Sequence, residues 1–171
     1  MNHTVRIAPV ETAEALDQVR ALFEEYWNSF GFTPCFQNFS AELAGLPGAY
    51  APPDGRLAIA FVDGHAAGCV ALRRFDPGIP SDRSSSLGFK SRAEPKRLYV
   101  RPQFRAHGIG RSLLNWVIAE ARAAGYAELV GDSMPVMREA LAMYERAGFE
   151  LTPTTSPDGK PDAKIDLRLK L

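Results

Sequence analysis

Three arginines, Arg101, Arg105 and Arg111, bracket a pair of glycines, Gly108 and Gly110, in the run Arg101-Pro102-Gln103-Phe104-Arg105-Ala106-His107-Gly108-Ile109-Gly110-Arg111-Ser112. An apolar stretch, Leu98-Tyr99-Val100, precedes this run, and an amphipathic one, beginning with Leu113 and Leu114, follows it. A turn of this kind points the unsatisfied N–H groups of a helix N-terminus at one spot, where an anion, above all a phosphate, is stabilised. Glycine at 108 and 110 removes the Cβ atoms that would hold a ligand off the backbone, and the arginines add positive charge. Spacing narrows the chemistry. A nucleotide-triphosphate loop needs an earlier glycine and a lysine that Gly108-Ile109-Gly110-Arg111-Ser112 lacks. A dinucleotide fingerprint needs a third glycine at the position held by Leu113. What remains is Arg105, two residues, Gly108, one residue, Gly110, set between a strand and a helix.

The elements that must position this turn can be read from periodicity. Alternation over residues 94–100 predicts the strand before it. Leu113, Leu114, Val117, Ile118 and Ala121 mark the buried stripe of a helix over 111–124, with Gly125 as its stop. Upstream, 5–10 is a first strand and 11–30 a long helix with Leu16, Val19, Leu22, Phe23, Tyr26, Trp27 and Phe30 on one face. Gly31 is its stop, and a short helix follows from Ser40 to Leu43. Residues 57–62 and 65–75 flank Asp63-Gly64, a preferred two-residue hairpin turn. Residues 76–92 are polar and read as a loop. Downstream, 126–130 is a strand, 135–146 a helix capped by Ser133, 152–164 a Pro- and Thr-rich connection, and 165–171 a last strand. The fold class is therefore mixed α+β (α/β): a single domain over 1–171, with a mixed sheet and helices on its faces.

Composition bounds the function. The 171 residues suffice for one sizeable core, and Lys plus Arg balances Asp plus Glu at 20 each. No global field attracts nucleic acid or an anionic membrane, and no apolar run approaches the ~20 residues needed to span a bilayer. Cys35 and Cys69 are too few for a disulfide framework; Cys69 reads as a small core residue. The expectation is a cytoplasmic protein with no nucleic-acid or membrane partner and no metal.

With its setting, the Arg105 to Gly110 pattern resembles the pyrophosphate signature of the GNAT superfamily of N-acetyltransferases. Lys96-Arg97-Leu98-Tyr99-Val100-Arg101-Pro102 is similar to that family's fourth strand and its exit, and Ala140-Leu141-Ala142-Met143-Tyr144-Glu145-Arg146-Ala147-Gly148-Phe149 to its last helix. The resemblance covers nearly the whole chain. It implies a twisted, mostly antiparallel mixed sheet of about six to seven strands with helices on both faces, whose middle strands splay to admit the arm of acetyl-coenzyme A, and direct attack of a primary amine on the thioester. The cofactor-binding set it implies is Leu98, Tyr99 and Val100, whose backbone would align the arm, then Arg105, Ala106, His107, Gly108, Ile109, Gly110, Arg111 and Ser112 around the pyrophosphate. His107 is expected there as a backbone donor. Tyr144 is the implied acid for the leaving thiolate, since phenols titrate near ~10 and thiols near ~8.5. Glu94 is the implied base, acting directly or through ordered water. Pro95 departs from the pattern, and Glu94 then reads equally as a solvated residue outside the strand. Met137 stands where many members carry asparagine.

The acceptor that the resemblance implies is a primary amine of a small molecule or a protein. Phe30, Phe32, Phe36, Phe39 and Tyr50 either line a partly apolar acceptor pocket or seal the edge of the core. A non-catalytic acyl-coenzyme A sensor or regulator built on the same turn is the alternative to an enzyme. An apolar last strand would serve a homodimer.

Overall fold

In the computed structural model, residues 4–30, 39–75, 91–155 and 161–171 are described. Strands β1 (Val5–Pro9), β2 (Arg56–Val62), β3 (His65–Arg74), β4 (Arg92–Val100), β5 (Glu128–Ser133), β6 (Glu150–Thr155) and β7 (Pro161–Lys170) form one sheet in the order β1-β2-β3-β4-β5-β7-β6. Helices are α1 (Ala13–Asn28), α2 (Phe39–Ala44), α3 (Ile109–Ala123) and α4 (Arg138–Arg146). The β1–β2, β2–β3, β5–β7 and β6–β7 pairs are antiparallel; β4–β5 is parallel. This is the mixed, mostly antiparallel sheet expected.

Several boundaries differ from expectation. Helix α1 starts after Thr12, whose hydroxyl accepts from Ala15 N at 3.2 Å, and closes at Ser29 rather than Phe30. Gly31, Phe32, Cys35 and Phe36, and the loop over 76–90, lie outside the described residues. Strand β4 begins at Arg92, where a loop was expected, and takes in both Glu94 and Pro95. Ser133 ends β5 instead of capping α4: its hydroxyl meets Met137 Sδ at 3.7 Å, and a turn closed by Met137 N on Met134 O delays the helix to Arg138. The expected connection over 152–164 holds β6 and the start of β7. Pro153 hid β6, yet β6 ends the sheet order, and an edge strand tolerates a proline.

Backbone contacts group the chain into two compact units, residues 1–73 with 96–117, and residues 74–95 with 118–171. In the first, Val19, Leu22 and Phe23 of α1 are fully buried with Leu57, Ile59, Cys69 and Ala71 of the β2–β3 hairpin and Tyr99 of β4. Burying each large side chain contributes roughly 1.5–3 kcal/mol, so α1 is held mainly by this stripe. Burial pushes the Cys69 thiol well above its usual range, and the thiol donates to Arg97 O at 3.4 Å. It is an inert core group, as expected. Gly68 of β3 lies so close to β4 that a Cβ there would overlap Tyr99 O.

Strand β4 is interrupted. Arg97 has φ +54°, in the left-handed region that non-glycine residues avoid. At one end of the β3–β4 pair, Phe75 N donates to Arg92 O at 2.9 Å; at the other, Arg101 N donates to Ala67 O at 2.8 Å. These registers differ by one residue, which identifies Arg97 as the centre of a bulge. Its guanidinium, only 8 % exposed as a residue, binds Glu42 of α2 through both carboxylate oxygens, Nε at 3.0 Å and Nη2 at 2.5 Å. Tyr50 OH donates to Glu42 Oε1 at 2.7 Å. The Arg97 cation lies 5.5 Å from the Phe39 ring centre, and Trp27 stacks on Phe39.

In the second unit, Leu129, Phe149 and Leu167 are buried, and Tyr144 of α4 packs its ring edge-on to Phe149 at 5.1 Å. Glu128 is buried at 6 % and accepts from Arg168 Nη2 at 2.6 Å, with Arg92 Nε 3.9 Å away. No helix among the described residues is long and apolar enough to cross a membrane.

Two outcomes follow for stability. Gly68→Ala must push β3 and β4 apart against a backbone oxygen, so urea unfolding is expected to show a loss of about 1–3 kcal/mol; a variant as stable as wild type would contradict the close approach. Burial pushes the Glu42 carboxyl up, but the bonds from Arg97 and Tyr50 and the Arg97 charge outweigh it and hold it below the ordinary 4.5. A lowered carboxyl contributes stability that is full above its unfolded value and drains as pH falls through its folded one. The gap in stability between wild type and Glu42→Gln is therefore expected to be about 2–4 kcal/mol at neutral pH and to narrow as pH falls below the ordinary carboxylate value. A gap independent of pH would contradict the pairing.

Candidate functional site

The turn between β4 and α3 is built by the backbone rather than by its side chains. Pro102–Phe104 make a single 3-10 turn, Ala106 takes φ +64° and Gly108 φ +75°, and α3 begins at Ile109. Ala106 is the unforeseen member, since an alanine gives no sign in sequence of a left-handed conformation. At Gly108 a Cβ would face open space, with nothing within 4 Å. The first bond of the helix runs from Ser112 N to Gly108 O at 3.0 Å. Helix geometry leaves the N–H groups of Ile109, Gly110 and Arg111 with no acceptor in their own helix. Ile109, Leu113, Leu114 and Val117 are buried on one face and fix the direction in which these groups point.

The charges divide unequally. Arg105 and Arg111 are exposed. Arg105 Nε donates to Val100 O at 3.0 Å, which ties the side chain across the end of β4. Arg101, expected among the phosphate-facing charges, is turned away: its Nε and Nη2 bind Glu25 of α1 at 2.9 and 2.7 Å, and its Nη1 donates to Ala66 O at 2.6 Å. A charge already paired and held is not available to a ligand. His107 is exposed, and its Nδ1 lies 2.7 Å from Arg105 O, which can only accept.

Strand β4 supplies the second part of the site. Its ladder to β5 holds two residue pairs, Arg92 with Glu128 and Ala93 with Leu129, and Leu98, Tyr99 and Val100 lie beyond it. Tyr99 is the buried one of the three, its ring 5.7 Å from that of Tyr26, whereas Leu98 and Val100 are half-buried. The pleat explains this. Since Arg101 N bonds to β3, the backbone groups of Val100 and Leu98 face the opposite edge.

Glu94 and Tyr144 belong to the second unit. Glu94 is buried at 6 % within β4, so the reading of a solvated residue outside the strand is corrected; Pro95 is accommodated within the strand and does not start it. Gly131 of β5 lies beside this side chain: a Cβ there would sit 3.9 Å from Glu94 Cγ, in ordinary van der Waals contact. Tyr144 is half-buried on a face of α4 that also carries the half-buried Met137, Ala140 and Leu141. Met137 occupies the N-cap of α4, where its sulfur accepts from Ser133. The first unit thus brings together Leu98, Tyr99, Val100 and the whole run from Arg105 to Ser112.

Comparison with known proteins agrees with this frame. The family model described as Acetyltransferase (GNAT) family matches residues 16–149. A protein of Schizosaccharomyces pombe described as an uncharacterized N-acetyltransferase is 33% identical over 150 residues, 86% of this chain and 84% of the relative. Among solved structures, an acetyltransferase from Streptococcus agalactiae is similar with a TM-score of 0.72 at 20% identity, covering 98% of each chain. A chain of the NatC complex bound to Gag peptide and CoA gives 0.67 at 16% identity, covering 98% of this chain and 99% of that one. At such identities the structural likeness speaks for the fold. With the match over residues 16–149 and the fission-yeast relative, the chain belongs to the GNAT family of acetyltransferases.

Proposed function

We propose that this protein transfers the acetyl group of acetyl-coenzyme A directly to a primary amine, of a small molecule or of a protein. One observation carries the reading: the start of α3, where Gly108 is open to its surroundings and three first-turn N–H groups follow it. A diphosphate fits this donor set because its oxygens accept several short N–H bonds at once and take the favourable end of the helix dipole. Arg105 and Arg111 add exposed charge beside it, and Ser112 adds a hydroxyl. Support for coenzyme A as the carrier comes from the family and from the coenzyme in the NatC structure.

The reaction then needs three things of this chain. Leu98 and Val100 offer backbone groups on the edge of β4 away from β3, and an amide-bearing arm lying along that edge would bond to them as an added strand does. The Val100 carbonyl is already taken by Arg105, so its N–H is the group assigned to the arm or to the thioester oxygen. Glu94 accepts the proton from the ammonium form of the acceptor, directly or through water. The amine nitrogen forms its bond to the carbonyl carbon, the carbon–sulfur bond breaks, and Tyr144 donates its proton to the departing thiolate. The second amine proton restores Tyr144 through water, and Glu94 releases its own proton to solvent.

Three measurements test this. Gly108→Ala places a methyl group in the open space and strains a left-handed residue; calorimetry with coenzyme A is expected to show affinity falling at least about ten-fold for a stability cost of about 1 kcal/mol. Unchanged affinity would remove the turn from the site. Tyr144→Phe is expected to lower kcat for thiol release with an amine panel by about 10²-fold, with KM for acetyl-coenzyme A little changed; a wild-type rate across the pH range excludes it as the acid. Glu94→Gln is expected to abolish the acidic limb of the kcat/KM profile, and a retained limb excludes it as the base.

A further inference from the structure

The acetyl-transfer reading uses Leu98 and Val100 because their backbone groups face away from β3. That orientation is not the default of β4. At its start, Arg92 O accepts from Phe75 N, so in a regular pleat every second residue after Arg92, including Leu98 and Val100, would face β3. Past Arg97 the order is reversed, and Arg101 bonds to Ala67 instead. The reversal takes place at one residue, with φ +54°. A slip of one residue exchanges the two edges of a strand, so the conformation of Arg97 decides whether the amides of Leu98 and Val100 are offered to a ligand or used up on β3.

A non-glycine residue in this conformation costs about 1–2 kcal/mol and has to be held there. The hold is visible. Both carboxylate oxygens of Glu42 bind the Arg97 guanidinium, Tyr50 fixes the same carboxylate, and the ring of Phe39 lies under the cation. Glu42 and Phe39 both lie on α2, and Arg97 is among the few buried charged residues described. A two-point ion pair fixes the direction of the guanidinium as well as its distance.

We infer that Glu42 is a positioning residue for acyl transfer: by clamping Arg97 in its left-handed conformation, it turns the backbone donors of Leu98 and Val100 toward the acyl carrier's arm. The inference rests on the proposed function, and the test separates the two. Calorimetry is run with acetyl-coenzyme A and with 3′-phosphoadenosine 5′-diphosphate, which keeps the phosphates but lacks the arm. Glu42→Gln is expected to bind acetyl-coenzyme A about ten-fold more weakly, and the diphosphate as wild type does. Since the single change leaves a buried arginine unpaired, Glu42→Gln with Arg97→Gly is the second variant. Glycine adopts the left-handed conformation unaided, so acetyl-coenzyme A affinity is expected to return to within about three-fold of wild type while the melting temperature stays lowered. A merely structural pair would show the opposite, affinity following stability in both variants. Equal weakening for both ligands, unchanged affinity in Glu42→Gln, or no recovery in the double variant would each overturn the inference. Wild-type protein that binds neither ligand would overturn the proposed function itself.

Discussion

The amide hydrogens at the first turn of α3 are the constraint around which the first unit is organised. A helix of this length leaves its opening N–H groups without acceptors, and where they point is decided by what buries the helix behind them. Here Ile109, Leu113, Leu114 and Val117 give the helix one orientation. The chain reaches it from β4 through two left-handed residues, Ala106 and Gly108, each of which would be strained as an ordinary side-chain-bearing residue. Glycine takes this conformation freely, but that of Ala106 is costly; it is tolerated when the surroundings determine it, and such strain gathers where a ligand is held.

Charge placement follows the same logic. Four arginines lie close in sequence to the turn, but they do two different jobs. Arg97 and Arg101 are consumed by carboxylates on α2 and α1, Glu42 and Glu25, in two-point pairs that tie the helices to β4. Removing one member of such a pair leaves the other charge poorly solvated, which is why these contacts are rigid fixtures rather than ligand groups. Arg105 and Arg111 stay exposed, the charges that the proposed phosphate site would use. The overall balance of 20 basic and 20 acidic residues conceals this local division.

Much of this was legible in the sequence, and the exceptions share a cause. The α1 stripe, the Asp63-Gly64 hairpin and the strand–turn–helix unit follow from short-range periodicity and turn chemistry, which a linear pattern records. The left-handed conformations of Arg97 and Ala106 do not, because nothing about an arginine or an alanine announces them; they are imposed by partners distant in the chain. Glu42 lies 55 positions from Arg97, and Glu25 lies 76 from Arg101, so neither pair has a local signature. Strand β6 was obscured by Pro153, whose missing donor matters less at the edge of a sheet. The burial of Glu94 was hidden similarly, since one of its neighbours, Gly131, lies on another strand.

The most direct measurement is residue-resolved amide NMR of the full chain titrated with coenzyme A. If the start of α3 grips the diphosphate, the N–H resonances of Ile109, Gly110 and Arg111 move downfield and their exchange with solvent slows, while those of β1, remote in the strand order, stay put. Saturating coenzyme A that leaves these three amides unshifted and still exchanging freely would contradict the account.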